Sequence, residues 1–196
     1  MTPGHLKLEY SVSMLLFCPS KVQIMVSRYM KWMFALAAIS ISVLVSAQTT
    51  VKWLTWEQAI SLSKQEPRKF FVDVYTDWCG WCKKMDKATF ENPTVAQYLN
   101  THYYPIKFNA EQRAEIKIND KTYNYVKSGA RGYHEAAVWM TFGRLSYPTV
   151  VFIDEKLEVI QPIPGFREPV EFQKMMKYFA EDHHKTTPWT KFANGN

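Results

Sequence analysis

Phe70 to Tyr75 (FFVDVY) is β-branched and aromatic with almost no alternation, and it runs through a short turn into Cys79-Gly80-Trp81-Cys82. Such a run reads as a central strand buried on both faces. A strand of that kind needs cover on either side, which points to an α/β fold with a mixed sheet. The next periodic segment, Cys79 to about Ala88, is expected to be helical, so the cysteine pair opens a helix directly after a buried strand.

That placement carries chemistry. The first N–H groups of a helix are unpaired and bear partial positive charge. A thiolate at Cys79 is therefore favoured, with a pKa below the free value of about 8.5. Lys83 and Lys84 add positive charge nearby. Residues three apart share a helix face, so Cys82 can close a small disulfide ring with Cys79. The expected cycle is attack by Cys79 on a substrate disulfide, followed by resolution of the mixed disulfide by Cys82; the reverse order would oxidise a substrate. Other uses of the pair are less well supplied. Structural zinc needs four ligands, and His134, His183 and His184 lack partner spacing. A purely structural disulfide of this span closes too small a loop to stabilise much. Two thiolates can hold Cu(I), but no third soft ligand is evident near them.

Asp73 interrupts the apolar strand. A buried carboxylate without a partner is expensive, and its pKa should rise. Lying six residues before Cys79, it can sit under the cysteine helix and accept the proton of Cys82; the plainer alternative is an Asp with ordinary hydrogen bonds at a bulge. Lys107, in the next strand, either pairs with Asp73 or is an ordinary exposed lysine.

Around this centre the chain reads as an alternation of elements. Thr55 and Gln58 form a capping box ahead of Trp56, Ala59, Ile60 and Ser63, and Pro67 ends that helix. Asn92-Pro93 breaks the cysteine helix, and a short helix follows over 94–100. Strands are expected at 103–108, 148–153 and 157–162, with a closing helix from Glu168 to Glu181. Residues 110–146 are poorly patterned, with a flexible-looking stretch at 128–132 and a helix from His134 to Phe142 stopped by Gly143. The tail over 183–196 is polar and expected to be loose.

The first 47 residues read as an address. Met33 to Ala47 (MFALAAISISVLVSA) is apolar with small serines, follows Arg28 and Lys31, and ends in Val45-Ser46-Ala47. This fits a secretory signal peptide cleaved after Ala47, with Met30 as the natural start and residues 1–29 as an upstream extension; an uncleaved signal anchor is the alternative. The net charge of +6 is then shared, since Lys7, Lys21, Arg28 and Lys31 against Glu9 leave 20 basic and 17 acidic residues beyond position 47. A domain of +3 with interspersed signs makes no case for nucleic acid. Cys18 also leaves with this segment, so the 48–182 domain keeps one cysteine pair in an oxidising compartment.

The stretch VDVYTDWCGWCKKM resembles the active-site segment of the thioredoxin family at Asp73, Trp78, Cys79, Gly80, Cys82 and Lys83. IKFN at 106–109 resembles the strand whose lysine partners the buried aspartate. Tyr147-Pro148-Thr149 resembles the cis-proline loop that faces the disulfide, and Gly165 matches a late glycine. The lead over 53–75 and KKMDKATFENPTV are most similar to exported, periplasmic thiol:disulfide interchange proteins. The resemblance implies a thioredoxin fold with helices on both faces of the sheet and an insertion at 110–146 before the cis-proline strand. A cis X–Pro bond costs little, and it frees the Tyr147 backbone to pair with an extended substrate; a trans proline starting a strand is the alternative. Trp78 and Trp81 form an apolar rim around Cys79 or simply pack.

Trp81 stands where the family usually has proline, so redox direction is not given by the motif. The insertion either shapes substrate choice or decorates an edge. The combined expectation is an exported protein-disulfide oxidoreductase, acting as a reductant. Its cofactor is none beyond the Cys79–Cys82 pair. Its partners are protein thiols or disulfides and an upstream thiol electron donor, with membrane contact only through an uncleaved signal segment. A dithiol oxidant or isomerase, and a binding module for peptide or Cu(I), are the rivals.

Overall fold

The computed structural model describes residues 49–195. The signal peptide, the Met30 start, the cleavage after Ala47 and Cys18 lie outside the described residues.

The chain forms α1 (Trp56–Ser63), β1 (Lys69–Tyr75), α2 (Gly80–Met85), a π-helical turn (Asp86–Phe90), α3 (Pro93–His102) and β2 (Tyr103–Asn109). After these come β3 (Ile116–Ile118), β4 (Lys121–Tyr123), β5 (Tyr125–Ser128), β6 (Arg131–His134) and α4 (Glu135–Met140). β7 (Thr149–Ile153), β8 (Val159–Pro164), α5 (Pro169–Ala180), a 3-10 turn (His183–Lys185) and α6 (Trp189–Ala193) complete it.

The central sheet has the order β2-β1-β7-β8. β1 runs parallel to β2 and antiparallel to β7, which pairs antiparallel with β8, so the sheet is mixed. Every β1 residue except Tyr75 is buried, as an apolar run without alternation requires. Phe70, Val72 and Val74 pack on one face with Trp56 of α1 and Ala136, Ala137 and Met140 of α4. Phe71 faces the other way, into Met85, Phe90, Leu99, Phe172 and Met176 from the helices on that side. Thr55 makes both arms of its capping box, accepting from the Gln58 N–H at 3.2 Å and donating its own N–H to Gln58 Oε1 at 2.9 Å.

Three segments differ from the sequence expectation. The cysteine helix does not run on to Ala88: it widens into a π turn at Asp86, which brings both Thr89 and Phe90 into the core. π turns of this sort concentrate near functional sites.

The 128–132 stretch is not a flexible loop but the tip of a hairpin, with Ser128 paired to Arg131 and Lys127 to Gly132. Gly129 takes a positive φ at the two-residue turn, as hairpin turns favour. Gly132 has a different role: a Cβ there would collide with the Tyr125 hydroxyl and the Val126 carbonyl. The β3–β4 hairpin precedes it, and Ile116, Ile118 and Tyr123 join the core. Buried His134 straps the insertion down, its Nε2 bonding the Ala114 carbonyl at 2.9 Å while its Nδ1 accepts the Ala136 N–H at 3.1 Å. Burial lowers its pKa, consistent with a neutral ring that still accepts at Nδ1.

The tail is docked rather than loose. Trp189 and Phe192 pack against the core, both meeting Tyr178 at ring distances of 5.2 and 5.1 Å. The Tyr178 hydroxyl donates to the Thr187 carbonyl at 2.6 Å. Two aromatic anchors outweigh the polar residues between them, which composition alone hides.

Candidate active site

β1 delivers the chain to one end of the sheet, and a turn closed by the Cys79 N–H on the Thr76 carbonyl at 3.1 Å starts α2. Cys79 is the N-cap residue, and the Cys82 N–H donates to its sulfur at 3.1 Å. This is the geometry that favours a thiolate once the pair is reduced. Cys79 and Cys82 are joined by a disulfide, with Cα atoms 5.3 Å apart and both residues buried.

Asp73 lies in β1 opposite Lys107 of β2 in the parallel register. It is 1 % exposed, so the register and the burial together force an ion pair. Lys107 Nζ stands 3.1 Å from Asp73 Oδ2. Burial pushes the Asp73 carboxyl up to about 6, against the pull of Lys107 and with help from the negative charge of Asp86. Its Oδ1 is buried and has no hydrogen-bond partner among the described residues, leaving one carboxylate oxygen free to take a proton. Lys107 is the partner rather than an exposed lysine: burial alone would lower its pKa, but Asp73 and Asp86 outweigh it and raise it.

Asp86 was not singled out by sequence. It binds Lys107 directly, so one cation serves two carboxylates. The signal was present in the spacing, since 79, 82 and 86 fall on one helical face. Lys107 also lies 5.0 Å from the Trp53 ring and 5.1 Å from that of Tyr75.

The rim is aromatic. Trp78 and Trp81 are 52 % and 58 % exposed, too open to be packing residues alone. Trp78 meets Tyr147 edge-on at 5.8 Å and donates its indole N–H to Glu111 at 3.0 Å. Trp81 lies 5.9 Å from Phe166. The Tyr147–Pro148 bond is cis, and the Pro148 carbonyl accepts the Gly165 N–H at 2.8 Å, which ties the loop to Gly165 beside Phe166. Gly80 is exposed at the start of α2, and open space surrounds the position a Cβ would take. Glu111 and Arg131, both from the insertion, are the other rim residues that sequence reasoning missed. Among the described residues, no group of three or more His, Cys, Asp or Glu side chains is placed to hold a metal ion, and no helix is long and apolar enough to cross a membrane.

Comparison with known proteins gives a consistent picture. The profile of the family described as "Thioredox_DsbH: Protein of unknown function, DUF255" matches residues 36–184. The thiol:disulfide interchange protein DsbD of Haemophilus ducreyi is 32% identical over 117 residues, which is 56% of this chain and 17% of that protein. An uncharacterized Caenorhabditis elegans protein is 31% identical over 98 residues, 48% of this chain and 13% of its own length. The match thus spans about a sixth or less of either curated relative. Among solved structures, a DsbH oxidoreductase superposes with a TM-score of 0.51 at 15% identity, covering 69% of this chain and 88% of that one. The likeness establishes the thioredoxin fold.

Proposed function

The chain belongs to the thioredoxin-like DsbH family (DUF255), and on that footing we propose that it is an exported thiol–disulfide oxidoreductase that reduces protein disulfides. The observation that carries this reading is the Cys79–Cys82 pair at a helix N-cap, together with a buried Asp73 that has a free oxygen and shares Lys107 with Asp86 at the end of that helix.

In the reduced protein the Cys79 thiolate attacks one sulfur of a substrate disulfide. The substrate S–S bond breaks, a Cys79–substrate bond forms, and the first substrate thiolate leaves and takes a proton. Asp73 removes the proton of Cys82, whose sulfur then attacks Cys79. The second substrate thiol is released and the Cys79–Cys82 disulfide forms, so two electrons pass to the substrate. An upstream thiol donor returns the pair to the dithiol, and no cofactor beyond the pair is needed. Tyr147 and Pro148 offer backbone to an extended substrate, while Trp78, Gly80 and Trp81 line its approach.

Asp73 supports the reductant direction. A base whose pKa lies about 6 can unload Cys82 near neutral pH, which speeds the resolving step of a reductant. The apolar stretch Met33 to Ala47, read from the sequence as a signal peptide, supports export. Reduction of insulin disulfides by the protein with dithiothreitol tests the reading. Turnover that vanishes in Cys79→Ser supports it; turnover that survives removes Cys79 as nucleophile. A reduction potential near about −120 mV would instead place the protein among oxidants.

A further inference from the structure

Each of the two tryptophans beside the cysteine pair carries a cation on its ring. Arg131, at the tip of the β5–β6 hairpin, sets its guanidinium 4.6 Å from the Trp78 ring centre. Lys84, on α2, sets its ammonium 4.7 Å from Trp81 and 4.9 Å from Phe166. Two elements far apart in the chain thus bring the same device to one face. Gly132, the residue after Arg131, leaves the space that the Tyr125 hydroxyl occupies, where any side chain would collide.

The charges at this face do not cancel. Arg131, Lys83 and Lys84 are exposed, and none is ion-paired among the described residues. The nearby acids Glu111 and Asp77 accept only from neutral groups, the Trp78 indole and the Asn109 amide at 3.1 Å, and keep their charge, so the three cations outnumber them by one. A cation stacked on a ring is held in place with its edge toward solvent, so an arriving carboxylate meets an ordered charge.

We propose that this face selects protein segments whose reactive cysteine is flanked by acidic residues, Arg131 and Lys84 receiving a carboxylate on either side of it and the tryptophan rings covering the apolar backbone between. The inference deepens the oxidoreductase reading and rests on it. Complementary charge at a rim acts mainly on encounter, raising association about tenfold or more at low salt and losing that gain as salt rises.

The test uses the reduced protein with three disulfides: neutral bis(2-hydroxyethyl) disulfide, and two quenched-fluorophore peptides alike except for Asp and Glu, or Lys and Arg, beside their cysteines. The acidic peptide is expected to react about tenfold faster than the basic one in 20 mM salt, and within about twofold of it in 500 mM. Arg131→Glu with Lys84→Glu should invert the order. A Cys79→Ser, Cys82→Ser protein, which cannot exchange, should still bind the acidic peptide more tightly by fluorescence anisotropy. Failure to reduce the hydroxyethyl disulfide would overturn the oxidoreductase reading, with the binding arm still judging selectivity. Equal rates and equal binding of the two peptides at low salt, or a preference that persists in the double glutamate variant, would overturn this inference.

Discussion

Asp73→Asn should make the oxidised protein more stable at pH 8 and no more stable at pH 4.5. The carboxyl titrates about 6 in the fold against a usual 3.8. Between those values the native state holds the proton more tightly than the unfolded chain, so stability falls as pH rises through that window and is level above it. Two pKa units correspond to about 3 kcal/mol of penalty for ionised Asp73 at pH 8. The asparagine amide would occupy the place of Oδ1, which has no partner, and leaving it unpaired costs about 1 kcal/mol. Lys107 keeps Asp86, so no new buried charge is stranded. The net gain is about 2 kcal/mol at pH 8. At pH 4.5 the ionisation penalty has shrunk to about 1 kcal/mol, which the amide cost cancels. Urea unfolding at both pH values, with slopes compared, measures this. A loss at pH 8 would show that pairing with Lys107 rather than burial governs this carboxylate, and a gain of equal size at both pH values would show that its ionisation does not set the effect.

The same substitution should slow insulin reduction by about ten- to a hundredfold, because it removes the base for Cys82; an unchanged rate would remove Asp73 from the cycle. Gly132→Ala should destabilise the protein by about 1–3 kcal/mol and redshift or quench Trp78 emission, since the β5–β6 hairpin must shift. Normal stability and emission would mean that Tyr125 yields freely. Trp189→Ala should cost about 2 kcal/mol in urea unfolding and expose residues 183–195 to protease. Resistance equal to wild type would show that the tail is held without it.

The core of this fold was readable because β1 is buried on both faces and therefore carries no polar alternation to confuse it, and because Thr55 and Gln58 mark a helix start by side-chain chemistry alone. Cys79, Cys82, Asp73 and Lys107 were legible for a related reason: each is a residue type that its surroundings disfavour unless it works there. The insertion was not legible. Its strands are three or four residues long (IKI, KTY, YVKS and RGYH), too short for a period, and their lysines point to solvent. Arg131 reads as an ordinary surface arginine until the hairpin places it on Trp78. Asp86 keeps helical spacing with Cys79 and Cys82, but its meaning depends on a lysine 21 residues away. The tail misled because two aromatic anchors among polar residues give no periodic signal.

The account stands most directly on the acidity of Cys79. Absorbance at 240 nm, followed from pH 4 to 10 in the reduced protein with Cys82→Ala as background, reports that one thiolate. Ionisation with a midpoint below about 7.5 is the expected result, from the helix start and the Cys82 N–H on its sulfur. A midpoint at or above the free-cysteine value of about 8.5 would contradict it.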